Sequence, residues 1–358
     1  MPHHARCAST DSSLHFVTGG TGLIGGEIIL ALTARGHRVR ALVRASSDAH
    51  ARERLLARLS KSDAFRAEST CLVDAIAGDT TVAGLTASRA PFDRVSTVIH
   101  CAANTEFSER AAEQVWATNA LGAHHLVTAL SDSAPTPRLI LVSTASVTTA
   151  PEGRCLAEDA PHAGHANAYT ESKRAAEATV LASGLDAVIV RPSIVLSRGV
   201  RDRAMARSIL WAVPIMSELG EVPIEAGAVV DIVPVDFVAR ALAGLATSGP
   251  WPHRIFHVSA GRDSRSFAEL QAHVSDALPQ YRRIRPTGRS VNGRRTLPRL
   301  MRPIEAYLPF INANVCYAND RLIGALGEDG CPPRSVEYLP GLVSQITLNE
   351  ALAEMARP

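Results

Sequence analysis

Through the first half of the chain, short apolar runs alternate with longer stretches in which apolar residues recur every three or four positions. Leu14–Thr18 (LHFVT) is a strand-length run that closes on a glycine cluster. Leu23–Arg35 carries apolar residues at 23, 24, 28, 29 and 32, the spacing of a helix, and Gly36 stops it. Further strand runs fall at Val39–Val43, Cys71–Ile76, Val95–Cys101, Leu139–Ser143 and Ala187–Val190, with helical spacing over 50–60, 110–131 and 168–183. Such an alternation builds parallel βαβ units, and a parallel sheet needs cover on both faces. The expected fold is α/β, a doubly wound parallel sheet of the Rossmann type.

After about residue 192 the rhythm changes. Pro and Arg become frequent and strands sparse until Ile255–Val258, while Val235–Ala246 keeps a helical pattern. The expected division is a nucleotide-binding domain over 1–192, with 229–258 returning to it, and a smaller substrate-binding lobe from 193–228 and 259–358. Two lobes suit a chain of 358 residues.

Composition narrows the class. At 46% hydrophobic and 20% charged, the chain can bury a sizeable core, which excludes long-range disorder. No apolar run approaches the roughly 18 residues of a membrane helix, and the first thirteen residues lack a secretory apolar stretch. Six cysteines, at 7, 71, 101, 155, 316 and 331, show no C-x-x-C spacing, so reduced thiols and a cytoplasmic location are expected. A net charge of +2 argues against nucleic-acid binding. The 37 basic residues comprise 35 Arg and only two Lys, Lys61 and Lys173. Either lysine therefore stands out, because arginine cannot supply a tunable ammonium.

The strongest local signal is Thr18-Gly19-Gly20-Thr21-Gly22-Leu23-Ile24-Gly25-Gly26, set between the first strand and the first helix. Gly19, Gly22 and Gly25 allow a sharp turn, close approach of a pyrophosphate and tight helix–strand packing in that order. The helix start supplies unpaired N–H groups for the same anion. At the end of the second strand Arg44 stands where an acid would bind a ribose 2′-hydroxyl, which favours the 2′-phosphate of NADPH/NADP+ over NAD(H). A solvated surface arginine is the plainer reading. Arg54 is a second candidate for the phosphate, and Asp79 is a candidate adenine contact and equally a turn cap.

Tyr169-Thr170-Glu171-Ser172-Lys173 falls on a predicted helix, where a spacing of four puts Tyr169 and Lys173 on one face. An ammonium beside a phenol favours phenolate and makes tyrosine a usable acid. The fifth strand ends in Val142-Ser143-Thr144-Ala145-Ser146, and a hydroxyl there faces the crevice where such sheets bind ligands. Ser143, Thr144 and Ser146 are all eligible on chemistry.

The glycine loop, Tyr169 and Lys173, His100-Cys101-Ala102-Ala103 and Asn119 together resemble the extended short-chain dehydrogenase/reductases over roughly 14–260. That resemblance implies Thr144 as the catalytic hydroxyl, in place of the commoner serine. It implies Ala102 and Ala103 beside the nicotinamide ribose, Arg191-Pro192-Ser193-Ile194 along the nicotinamide amide, and Asn119 supporting the active-site helix. It also implies a homodimer through the helices near 110–131 and 168–183. Leu42–Ala45, Ala51–Leu55, His100–Phe107, Ser143–Val147 and Val233–Phe237 are similar to the thioester-reductase and fatty-acyl reductase branch. That branch implies NADPH-dependent reduction of an acyl group on coenzyme A or an acyl carrier protein, or of the derived aldehyde. Alternatives are a hydroxysteroid- or dihydroflavonol-type ketone reductase, a sugar-nucleotide epimerase or dehydratase, and a non-catalytic NADP sensor.

Residues 282–302 hold eight arginines and no acid, either a landing site for CoA phosphates or an acidic carrier, or a solvated loop. Histidine spacing offers no metal site, and His162-x-x-His165 sits alone in a Gly/Pro-rich stretch. Neither a G-x-S-x-G elbow nor an ATP-type phosphate loop is present.

Overall fold

The apolar runs of the first half become strands of one sheet. β1 (Leu14–Thr18), β2 (Arg38–Val43), β3 (Val73–Ala77), β4 (Val95–His100) and β5 (Arg138–Val142) pair in parallel. β6 (Cys155–Leu156) stays outside this sheet, and β7 (Ala187–Pro192) joins it beside β5. From edge to edge the seven strands run Ile255–Val258, β7, β5, β4, β1, β2, β3. The strand order reverses at β1, whose neighbours are β2 and β4, so the loops after β1 and β4 open at a topological switch point. Phe16, Val17, Val98, Ile99, Ile140 and Ile189 lie fully buried in these strands, as a sheet covered on both faces requires. This computed structural model describes residues 13–86, 90–148, 155–161, 167–197, 209–281, 283–288, 305 and 307–355.

Five helices matter for the site: α1 (Leu23–Ala34), α2 (Asp48–Leu59), α3 (Ala112–Trp116), α4 (Gly122–Ser131) and α5 (Ala168–Ala182). Ser47 caps α2 by accepting from His50 N–H at 3.2 Å. Asn167 and Thr170 close a reciprocal capping box on α5. Two expectations change. The third strand begins at Val73, because Ala67–Leu72 forms a 3₁₀ turn. The single helix expected over 110–131 is α3 and α4 joined by a π-helical turn, Ala117–Leu121, which holds Asn119. No helix among the described residues is long and apolar enough to cross a membrane.

The described residues fall into two compact units. One lies within 1–143, 167–190 and 239–254; the other lies within 144–166, 191–238 and 255–358. These units divide the chain differently from the expected 1–192 and 229–258 at two places. Residues after Ser143 leave the first unit because β6 pairs in parallel with Cys316–Tyr317, and Ala145 and Leu156 bury against Val315 and Tyr317. Of the returning stretch 229–258, only 239–254 belongs with the first unit. Ile232–Pro234 instead pairs with β8 (Ile194–Leu196) in the second. The second unit has its own core, built on Trp211, Ile215, Val222, Leu339 and Val343.

Candidate active site

β1 ends in Thr18, and Gly19 turns the chain at φ +71°. A Cβ on Gly19 would lie 2.6 Å from the Ala102 nitrogen and 2.8 Å from the Cys101 carbonyl carbon, so only glycine lets the ends of β1 and β4 meet. Gly22 N–H donates to the Gly19 carbonyl at 2.8 Å, and a Cβ on Gly25 would strike that same carbonyl. α1 starts at Gly22 with no side-chain cap and no acid in its first turn, while Thr21, Gly22, Leu23 and Ile24 remain half-exposed. A glycine cradle at an uncapped helix start suits a pyrophosphate.

At the end of β2, Arg44 is exposed and its carbonyl accepts from the Arg54 guanidinium. Arg54 therefore anchors the loop that presents Arg44. Asp79 Oδ1 accepts from the Thr81 N–H and hydroxyl, each at 2.9 Å, which is the geometry of a turn cap.

His100, at the end of β4, is buried and bonded through Nδ1 to Thr18 Oγ1 at 2.7 Å. Thr18 Oγ1 also accepts from the Ala102 N–H at 3.2 Å. Thr18 Oγ1 keeps both a proton and a second lone pair for Nδ1, so the direction of that bond follows the ring tautomer. Burial, then the Lys173 charge, lower His100 to about 3, so the ring is neutral. The pair fixes the backbone at Ala102 and Ala103, both half-exposed.

Asn119 joins that loop to α5. Its Oδ1 accepts from Asn104 N–H at 2.8 Å, and its Nδ2 donates to the Asn104 carbonyl and to Ser172 Oγ, both at 2.9 Å. Ser172 Oγ in turn donates to the Tyr169 carbonyl at 2.8 Å. Tyr169 is half-buried, its ring edge-on to Phe107 with centroids 5.4 Å apart. One turn along, Lys173 is buried and donates from Nζ to the Val142 carbonyl at 2.8 Å. Desolvation lowers its pKa to about 8, against smaller upward pulls from Cys101 and Glu177. Burial holds the Cys101 thiol up at about 12. The first unit thus brings together Gly19, Ala102, Asn119, Tyr169 and Lys173 around the ends of β1, β4 and β5.

Ser143, the next residue after β5, keeps a buried Oγ with no hydrogen-bond partner. Thr144, Pro192 and Ile194 belong to the second unit. Thr144 is buried in extended backbone and accepts from Ser146 N–H at 3.2 Å. Pro192 is buried at the end of β7, and Ile194 pairs with Ile232.

Sequence reasoning gave no individual role to Thr18, Phe107 and Glu177 in the first unit, or to Asp231 in the second. Glu177 is fully buried on α5, one turn beyond Lys173. Asp231 is a buried carboxylate accepting from Ala260 N–H at 2.8 Å and Tyr317 N–H at 3.2 Å. Burial raises its pKa against those bonds and others from Ser193 and Ser264. An acid inside the apolar run Val229–Pro234 was the available signal. Of the arginine-rich stretch, Arg282 and 289–302 lie outside the described residues, as do His162 and His165. Arg283 pairs with Asp276 at 3.7 Å and Arg285 with Glu221 at 2.5 Å.

A glycine cradle at the switch point, a Tyr–Lys face on α5 and the Asn119 brace are the features of the extended short-chain dehydrogenase/reductase class, whose fold binds a dinucleotide. Residues 17–242 match the NAD-binding family described as male sterility protein, and the chain belongs to that family. It is 30% identical over 264 residues to the nonribosomal peptide synthetase asaC of Aspergillus flavus, covering 68% of this chain and 26% of that protein. It is also 30% identical over 219 residues to a 3 beta-hydroxysteroid dehydrogenase/Delta 5→4-isomerase of Mycobacterium tuberculosis, 57% of this chain and 52% of that one. The chain therefore spans about a quarter and about half of these relatives. The crystal structure of the terminal R domain from the myxalamid PKS-NRPS pathway shares the fold, with TM-score 0.72 and 19% identity, over 94% of this chain and 91% of that one.

Proposed function

We infer that the protein is an NADPH-dependent reductase acting on a carbonyl, with an acyl thioester on coenzyme A or an acyl carrier protein, or the derived aldehyde, as substrate. The observation that carries this reading is Lys173, buried one turn from Tyr169 on α5 and donating from Nζ to the Val142 carbonyl at 2.8 Å. The family and the relation to a peptide synthetase support the thioester. The glycine cradle would hold the pyrophosphate and Arg44 the 2′-phosphate, with Arg54 bracing the Arg44 loop. Asp79, which caps its own turn, would contact the adenine. Ala102, Ala103, Pro192 and Ile194 would line the nicotinamide end.

A nicotinamide held there would supply hydride. Thr144 and Tyr169 hold the substrate oxygen by hydrogen bonds that strengthen as negative charge develops on it. Tyr169 gives its phenolic proton to that oxygen, and Lys173 stabilises the phenolate left behind. A thioester gives a thiohemiacetal, which releases thiol and aldehyde; a second round gives alcohol. Asn119 keeps α5 and the Asn104 loop in register, which makes it a positioning residue.

Loss of NADPH absorbance with a panel of acyl-CoAs, aldehydes and ketones, beside NADH, tests the reading. Acyl-CoA-dependent oxidation that disappears in Tyr169→Phe is expected. Turnover of ketones alone would move the protein to the second reading, a hydroxysteroid-type ketone reductase, which the mycobacterial relative favours. Unchanged turnover in Tyr169→Phe would remove the acid assigned here.

A further inference from the structure

Two cysteines face each other in the second unit, apart from the groups assigned above. β6 and Cys316–Tyr317 form a parallel ladder in which Cys155 and Cys316 are register partners, followed by Leu156 and Tyr317. Register partners project to the same face, and adjacent strands lie ~4.8 Å apart, inside the ~4.4–6.8 Å between Cα atoms that a disulfide spans. The two thiols are hydrogen-bonded and neither is bridged. They differ in access, Cys155 being exposed and Cys316 half-buried.

We propose that Cys155 and Cys316 form a reversible dithiol–disulfide site, closed by a hydroperoxide. The Cys155 sulfur, as thiolate, attacks one peroxide oxygen and breaks the O–O bond. This leaves a sulfenic acid on Cys155, and the departing hydroxide takes up the thiol proton as water. The Cys316 sulfur then attacks the Cys155 sulfur; the S–S bond forms, the S–O bond breaks, and hydroxide leaves as water with the Cys316 proton. With hydrogen peroxide the sum is two thiols and one peroxide giving one disulfide and two waters. The order follows from access and acidity. Burial, then the hydrogen bond and charge of Cys155 and the Asp231 charge, push the Cys316 thiol up to about 12, so it is a poor first nucleophile.

The bond would act on the hydroxyl-bearing turn. Tyr317, next after Cys316, is pinned by its N–H to Asp231 and by its carbonyl, which accepts from Ser259 Oγ at 2.7 Å. Its ring hydroxyl shares a hydrogen bond with the Ser146 side chain, and Ser146 N–H donates to Thr144 Oγ1. Ala145 packs in the same cluster as Leu156 and Tyr317. Oxidation would therefore staple both strands behind the Thr144 turn. This chemistry does not depend on the reductase reading, since its primary test measures a covalent bond rather than turnover.

The test treats the full chain with equimolar hydrogen peroxide, alkylates the remaining thiols and maps non-reduced tryptic peptides by mass spectrometry. The expected product joins the Cys155 peptide to the Cys316 peptide, two hydrogens lighter than their sum, and dithiothreitol reverses it. Cys155→Ser should leave Cys316 reduced, and Cys316→Ser should let Cys155 run on to sulfinate. In urea the pairing preference should vanish, because it depends on the native register. Sulfinate at Cys155 in the unsubstituted protein, or its linkage to another cysteine with Cys316 left reduced, would overturn the proposal. Because Cys155 is exposed, its serine variant decides the matter even if the Cys316 variant fails to fold.

Discussion

Burial takes Lys173 far from the behaviour of a surface lysine. In water its ammonium titrates near 10.4; buried against the Val142 carbonyl it is lowered to about 8. Since the mechanism needs the ammonium, reduction should decline as pH rises through about 8, read from kcat/KM of the free enzyme. Lys173→Met should abolish that limb together with most of the rate. Thr144→Ala should lower kcat by roughly 100-fold, the usual loss for one oxyanion donor, with the KM for NADPH little changed. Arg44→Ala should raise the KM for NADPH about 10- to 100-fold and leave that for NADH nearly unaltered, as expected for one charge-assisted contact. An equal effect on both cofactors would remove Arg44 from the 2′-phosphate site. Tyr169, Lys173 and the glycines were legible because each stands in a short motif whose spacing has a local meaning. Glu177 and Asp231 were not, since their burial and the distant partners of Asp231, Ala260 and Tyr317, are not visible in any short stretch of sequence.

Helix interruption is the main lesson among the elements. Periodicity over 110–131 is helical throughout, yet Ala117–Leu121 widens into a π turn that holds Asn119. That residue makes three hydrogen bonds, two to Asn104 and one to Ser172. A hydrophobicity pattern records which face is buried and cannot register one extra residue in a turn. Asn119→Ala removes both partners of the Asn104 backbone and the donor to Ser172 Oγ, so the midpoint of urea unfolding should fall by an amount equivalent to about 2–4 kcal/mol. A loss under about 0.5 kcal/mol would show that water takes over these bonds. The third strand starts late for a similar reason: Cys71 and Leu72 are apolar enough for a strand edge, but Ala67–Leu72 closes as a 3₁₀ turn, with the Thr70 hydroxyl donating back to the Ala67 carbonyl.

Across the whole molecule, stability should depend on acid through two buried histidines. His15 has both ring nitrogens buried without a hydrogen-bond partner, in edge contact with His37. Burial, then the His37 charge, lower its pKa to about 4, and His100 lies at about 3. Both folded values lie below the unfolded value, so the unfolded chain binds protons first as pH drops below about 6.5. Stability fully present above that pH is therefore lost as pH falls towards 4 and then 3, on the order of 3 kcal/mol for His15. Urea unfolding at pH 7 and pH 5 should show the decline, and His15→Leu should remove the His15 share and leave that of His100. A pH-independent midpoint between those values would mean that neither ring is buried in solution.

What the chain determined by itself was local: strand and helix periods, the glycine turn between β1 and α1, and the four-residue spacing of Tyr169 and Lys173. These follow from backbone geometry over a few residues. Tertiary structure decided the rest. It took residues 144–166 out of the first unit by pairing β6 with Cys316–Tyr317, more than 150 positions away. It also desolvated Lys173 and His100, tied Asn119 to α5 and set Cys155 against Cys316. Each of these depends on burial or on a partner distant in sequence, and neither is encoded in any short window of residues.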